Sequence, residues 1–175
     1  MRNAVVRCDR LISLLAVLLL AGCTPRDPLD WKIDGRNANE LQGWLDHTIE
    51  KMPAPLADEF SVAVVRIRDT THGWTKANPE ATTNPLCLRL HGRTVRDVLI
   101  EGLQLQADDL AARVKNDKAN ILRLIESDAN TTRTPVAEAR YQRQLERFRH
   151  QGELNERAYD ALEKRISQLL AQPRN

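Results

Sequence analysis

Cys23 is the residue whose setting most plainly specifies chemistry. Its thiol follows two small residues, Ala21 and Gly22, at the end of an apolar run from Leu11 to Leu20. The other groups capable of chemistry are scattered. His47, His72, His91 and His150 are far apart, and Cys87 with His91 supplies two ligands where a structural zinc takes four. No metal and no cofactor is therefore expected. Asp58-Glu59 and Asp108-Asp109 are adjacent pairs on helical segments, and helical neighbours point apart, so neither is a carboxylate dyad. Ser61, Ser127 and Ser167 lie outside any nucleophile-elbow context. The expectation is a protein that is not an enzyme.

Three features suggest contact rather than catalysis. Arg140, Arg143 and Arg147 fall on one side of a helical segment, with Arg133 and Arg149 near. Such a face can meet lipid headgroups, a phosphate polymer or an acidic partner, or it can be solvated and paired with the interleaved Glu138 and Glu146. Trp74 sits in a stretch with little periodicity, either as a contact residue or docked on its own domain. Tyr159 completes the set. Cys87 reads as a small buried residue, with a disulfide to another chain as the alternative.

The residues around Cys23 resemble the lipobox of bacterial lipoproteins at all four positions, Leu20-Ala21-Gly22-Cys23. Arg2, Arg7 and Arg10 precede an apolar run of ten residues, too short to span a bilayer and of the length of a secretory signal's apolar region. The resemblance implies cleavage between Gly22 and Cys23 and a diacylglyceryl group on the Cys23 thiol. Acylation of the Cys23 amine would follow, giving an anchor of several chains. Residues 1–22 are then a signal peptide and 23–32 a lipidated tether. Thr24 rather than Asp follows the cysteine. In that family this implies the outer membrane facing the periplasm, with the inner membrane still open.

Removing residues 1–22 takes away Arg2, Arg7, Arg10 and Asp9, leaving 153 residues with 23 basic and 23 acidic ones. The precursor's basic excess belongs to the signal, so nucleic acid is not an expected partner. A chain of this length suits one domain with its own core.

The pattern beyond the tether is all-α: two short N-terminal helices, a long central helix and a C-terminal helical hairpin. Asn37 and Glu40 form a capping box ahead of the stripe Leu41, Trp44, Leu45, Thr48, Ile49, Met52. Pro53 stops that helix. Leu56, Phe60, Ala63, Val64 and Ile67 make a second stripe, although the β-branched stretch 60–67 leaves a strand open. Residues 70–93, with Gly73, Pro79, Pro85 and Gly92, read as a long loop inside a domain spanning 33–134. Thr94 caps the long helix with Asp97 at its third position, and its stripe is Leu99, Leu103, Ala107, Leu110, Val114, Ile121, Ile125. Residues 135–175 read as the hairpin: one helix through Tyr141, Leu145 and Phe148 stopped by Gly152, a second capped by Asn155 and running through Tyr159, Leu162, Ile166, Leu169 and Leu170.

That hairpin resembles the short C-terminal (SHOCT-like) domain of many bacterial proteins, on Leu145, Phe148, Gly152, Leu154, Asn155, Glu156, Tyr159, Lys164, Leu169 and Leu170. Arg157 and Ala158 depart from its usual acids. The resemblance implies self-association or docking and no catalytic residue. The middle resembles a family of small uncharacterised bacterial lipoproteins, on Ile33-Asp34-Gly35, Leu41 to Ile67 and Leu90-His91-Gly92-Arg93-Thr94. It carries no activity over. The expected function is a membrane-anchored, periplasm-facing lipoprotein acting through protein–protein contact or self-association. The alternative is a lipid-anchored inhibitor, or immunity protein, against an envelope-targeting toxin.

Overall fold

A computed structural model describes residues 27–77, 84–128 and 134–174, with the side chains of 72–77 and 128 left out. Cys23 and the cleavage site at Gly22 lie outside the described residues, as does the Trp74 side chain. A single 3-10 turn, Pro28–Asp30, is followed by α1 (Ala38–Ile49), α2 (Ala54–Ala77), α3 (Pro85–Leu90), α4 (Val95–Asp128) and α5 (Pro135–Ala171). The fold is all-α, and no helix of the described residues is long and apolar enough to cross a membrane.

Helix starts follow the sequence closely. The Asn37 side chain accepts from the Glu40 N–H at 3.0 Å. The Thr94 hydroxyl accepts from the Asp97 N–H at 3.2 Å and donates to the Asp97 carboxylate at 2.8 Å. Thr134 caps α5, with Pro135 in its first turn. Residues 60–67 are helical.

Four expectations need correction. First, α2 is not short. It continues to Ala77 through the first part of the expected 70–93 loop, and Trp74 sits in it. Thr70 and Thr71 stay helical because their hydroxyls donate to the carbonyls of Ile67 and Arg68, at 2.7 and 2.6 Å. The rest of that loop holds α3, whose Asn84 cap and Pro85 start are themselves a helix signal. Second, residues 28–32 are not free tether. Leu29 is buried in the core, and Trp31 and Ile33 bond to the chain before α4.

Third, the C-terminal hairpin is present, but its arms are α4 and α5. Residues 135–171 are one helix running straight through Gly152, and Asn155 is a mid-helix residue rather than a cap. The phase explains the continuity. Tyr141, Leu145, Phe148, Gly152, Asn155, Tyr159, Leu162, Ile166 and Leu169 alternate by four and three, and each is buried or half-buried. That is the seam of a two-helix coiled coil. Fourth, the α4 seam runs Leu103, Ala107, Leu110, Val114, Asp117, Ile121, Leu124; Leu124 is half-buried and Ile125 exposed. A repeat of 3.5 rather than 3.6 residues shifts the stripe by one position at its far end.

The core sits at one end. Phe60, Ile67, Leu90, Val95, Val98, Leu99 and Leu169 are fully buried together with Ile33 and Cys87. Trp44 meets the Phe60 ring edge-on, centroids 6.1 Å apart. α2 crosses α4 at Gly102, where an added Cβ would stand 2.4 Å from the Ala63 Cβ and 2.5 Å from its Cα. Beyond Leu103 and Ile166 the hairpin leaves the core as an arm, with helices of 34 and 37 residues, each about 50 Å long at 1.5 Å per residue. Halfway along, Asn155 donates to the Asp117 carboxylate at 2.8 Å and accepts from Gln151 at 3.3 Å.

Two glycines test this architecture in opposite directions. Gly152→Ala should stabilise the chain by about 0.5–1 kcal/mol, because the site is helix interior and the new methyl meets only the Asp117 Cβ, at 3.9 Å. A loss on urea denaturation would restore the hairpin break at Gly152. Gly102→Ala should cost about 1–3 kcal/mol by forcing α2 off α4, with Ala63→Gly recovering only part because the Ala63 backbone also obstructs.

Candidate interaction surface

The two motifs flanking the middle of the sequence meet in space. Trp31 to Ile33 lie against Gly92 to Val95 as a short antiparallel pairing around the bridge Lys32–Thr94. Ile33 N–H donates to Arg93 O, Gly92 N–H to Ile33 O and Val95 N–H to Trp31 O, at 2.9, 2.9 and 3.0 Å. Gly92 takes φ +75°, the left-handed turn that lets the chain leave α3 and enter α4. The Gly35 N–H donates to His91 Nδ1 at 3.2 Å, and Asp34 stands 3.8 Å from the same nitrogen. Arg36 bonds the Asp34 carboxylate through both oxygens and holds its pKa below the usual carboxylate value. Cys87 lies beneath, fully buried, and burial pushes its thiol pKa up. No group of three or more His, Cys, Asp or Glu able to hold a metal occurs among the described residues. The junction is built of backbone pairing and therefore shapes the entry to α4.

Immediately below it lies a residue whose role sequence reasoning missed. Arg96, in the first turn of α4, is 2% exposed. Its Nη1 donates to the carbonyls of Leu169 and Gln172 at 3.0 and 2.9 Å, and its Nη2 to the Pro173 carbonyl and Asp30 Oδ1, both at 3.2 Å. The guanidinium thus closes the C-terminal end of α5 and ties the first folded turn of the chain to it. Around this clamp the surface cations are paired. Arg89 and Arg93 share Glu101. Arg174 meets Asp97 at 3.2 Å, and Arg165 makes a two-pronged bond to Glu59 on α2 at 2.8 and 2.7 Å. Arg66 on α2 meets Asp109 on α4 at 3.2 Å.

The arm is charged differently. Arg140, Arg143 and Arg147 are brought together on the solvent side of α5 as expected, all exposed. Among the described residues none of them forms an ion pair, and Glu146 forms none with them. A shallow groove at Arg143, Glu146, Arg147, Arg149, His150 and Glu153 passes over the back of α5, with Arg147 on one flank and Glu146, Arg149 and Glu153 on the other. Tyr159 is on another side, half-buried beside Lys118, Glu156 and Asp160 in a groove between α4 and α5. Glu163 and the other nearby carboxylates raise its pKa. The expected contact residues therefore form a basic row and a separate tyrosine site rather than one surface.

No protein-family model, curated protein or solved structure matches this chain.

Arg96→Met should lower stability by about 3 kcal/mol, because it takes the guanidinium away from the Asp30 carboxylate and from the carbonyl oxygens of Leu169, Gln172 and Pro173 at a buried site. Arg96→Lys should recover only part of this, since an ammonium lacks the planar fork. Urea unfolding followed by circular dichroism measures both; a loss under 1 kcal/mol for the methionine variant would mean that water replaces the clamp.

Proposed function

We propose that this chain is a membrane-anchored lipoprotein that works by docking other proteins along its helical arm, without catalysis of its own. The sequence Leu20-Ala21-Gly22-Cys23 supports the anchor. The observation that carries the docking role is where the arm begins. Asp30 is bonded to Arg96 at the base of the hairpin, and the end of α4 at Asp128 and the start of α5 at Pro135 lie at the far end. Only three residues, Thr24, Pro25 and Arg26, lie between Cys23 and Asp27, a span of about 13 Å over four steps when extended. A lipid on Cys23 would therefore hold the core against the bilayer and give the arm a reach of about 50 Å from that fixed point. The proposed location is the cell envelope, on the outer membrane facing the periplasm.

The arm is suited to docking by its thinness. Beyond Leu103 and Ile166, Ala107, Leu145 and Asn155 are the only buried residues of the arm among the described residues. Its surface is large for the interior it encloses. A scaffold that offers surface on rigid helices needs this proportion, whereas a catalytic cleft needs convergent groups.

Two measurements test the reading. Globomycin, which blocks the lipoprotein signal peptidase, should cause full-length precursor to accumulate, and Cys23→Ser should do so without the drug. Photo-crosslinking residues placed in turn around the arm should yield discrete protein adducts in cells, and far fewer when placed on α1. Unchanged processing would remove the anchor, and an arm silent at every position would remove the docking role.

A further inference from the structure

The arm has two unlike sides, and the difference follows from its seven-residue repeat. α2 packs on one side of the hairpin's base, where Ala63 abuts Gly102, Arg66 meets Asp109 and Glu59 meets Arg165. Residues spaced by seven share a coiled-coil side. Stepping outward from Gly102 and Asp109 gives Asn116 and Arg123. From Gln106 it gives Arg113, Asn120 and Ser127. On α5, stepping outward from Arg165 and Gln168 gives Gln151, Leu154, Arg147, Gln144 and Arg140. So the side that α2 covers at the base continues outward uncovered, with four exposed arginines and not one carboxylate. Of the acids on the arm stretch of α5, Glu146, Glu153, Glu156, Asp160 and Glu163 lie on the other side and Glu138 on the line of the seam; Glu156 pairs with Lys118 at 2.7 Å.

We infer that this open side, carried by Arg113, Arg123, Arg140 and Arg147, is the docking face for an acidic helix of a partner protein. The occupant is argued from continuity with α2. α2 is itself a helix seated on this side, and it bonds the arm by presenting Glu59 to Arg165 in a two-pronged contact. The uncovered arginines offer the same fork for a carboxylate further out. Arg140 and Arg147 are seven residues apart on α5 and Arg113 and Arg123 ten apart on α4, about 10 and 15 Å at 1.5 Å of rise per residue, spacings that carboxylates on one stripe of a docked helix can match. Amides at Asn116, Gln144 and Gln151 add directional partners. Leu154, 45% exposed, adds an apolar contact, which a helix uses and a sheet of headgroups uses less. Face and occupant together resemble the α2 contact with its helix replaced by one from another chain. This deepens the docking role proposed above and rests on it.

A defined probe tests the chemistry of the face separately from that role. A labelled synthetic helix of about 20 residues with glutamates on one stripe is titrated with the full chain carrying Cys23→Ser. A peptide of the same composition with the glutamates spread around the helix serves as control. The striped helix should bind about tenfold more tightly than the control. Arg140→Glu with Arg147→Glu should weaken it about tenfold, while Lys115→Glu with Arg149→Glu, an equal charge change on the other side, should alter it less than twofold. Equal binding of the two peptides, or equal losses from the two double variants, would reduce the effect to bulk charge and overturn the proposal. So would flotation with phosphatidylglycerol vesicles that depends on Arg140 and Arg147 while striped-peptide binding does not. Cellular crosslinks arising only from the Glu153 side would also overturn it and leave the docking role standing; an arm without crosslinks would remove both.

Discussion

The structure depends on one buried guanidinium. A helix ends with carbonyl oxygens that no backbone N–H reaches, and it carries a partial negative charge there. At the end of α5 these groups are not left to water. Arg96 donates to one of them, the Leu169 carbonyl, to the carbonyls of Gln172 and Pro173 just past the helix end, and to Asp30. The same side chain belongs to the first turn of α4, where a cation is unfavourable with respect to that helix's own dipole. Asp97, one residue on and bonded to Thr94, offsets it. Three parts of the chain, the turn at Pro28–Asp30, the start of α4 and the end of α5, are thereby fixed relative to one another.

A hairpin of two long helices needs its register specified, since hydrophobic seams tolerate sliding by a heptad. The clamp sets register at the base, and the Asp117–Asn155 bond sets it again halfway along, where a slip would strand a carboxylate against apolar neighbours. Gly152 belongs to this second point. It lets the helix continue with little bulk opposite Asp117. A glycine that reads as a stop signal in isolation is here a spacer within the seam.

What the sequence disclosed and what it hid divide by range. Helix starts were legible because a cap bonds within three residues, as at Asn37, Thr94 and Thr134, and the all-α class followed from the stripes. The extent of α2 and the unbroken α5 were hidden because each depends on phase over many residues. Gly152 and Asn155 look like a C-cap and N-cap only when the 4-3 alternation on both sides is ignored. Leu124 took the seam position expected of Ile125 because supercoiling changes the period. Arg96 carried a signal that was available: a basic residue three and seven positions before Leu99 and Leu103, at the head of the stripe. Its acceptors lie 66 to 77 residues away, so nothing local revealed whether it snorkels or is buried. Of the contact residues, the row Arg140, Arg143, Arg147 was legible from helical spacing. Its separation from Tyr159 was not, because that separation depends on which side of α5 faces α4.

The same range argument explains why the arm's sidedness escapes a helix-by-helix reading. Each of α4 and α5, unrolled alone, mixes acids and bases and resembles any solvated helix. Only when both seams are aligned do Glu146, Glu153, Glu156 and Asp160 fall on one side with Lys115, Lys118 and Arg149, and Arg113, Arg123, Arg140 and Arg147 on the other. At the base α2 fills that second side and every arginine there has a carboxylate. Farther out there is no α2, and the arginines stand without one. A two-helix arm encloses too little apolar surface to be rigid for its own sake, and isolated helical segments are marginal in water. Its order is inherited from the clamp at the base and from the cap at Thr134. The outer side is therefore held in a fixed geometry without being covered, and geometry fixed in advance is what reduces the entropic cost of receiving another helix.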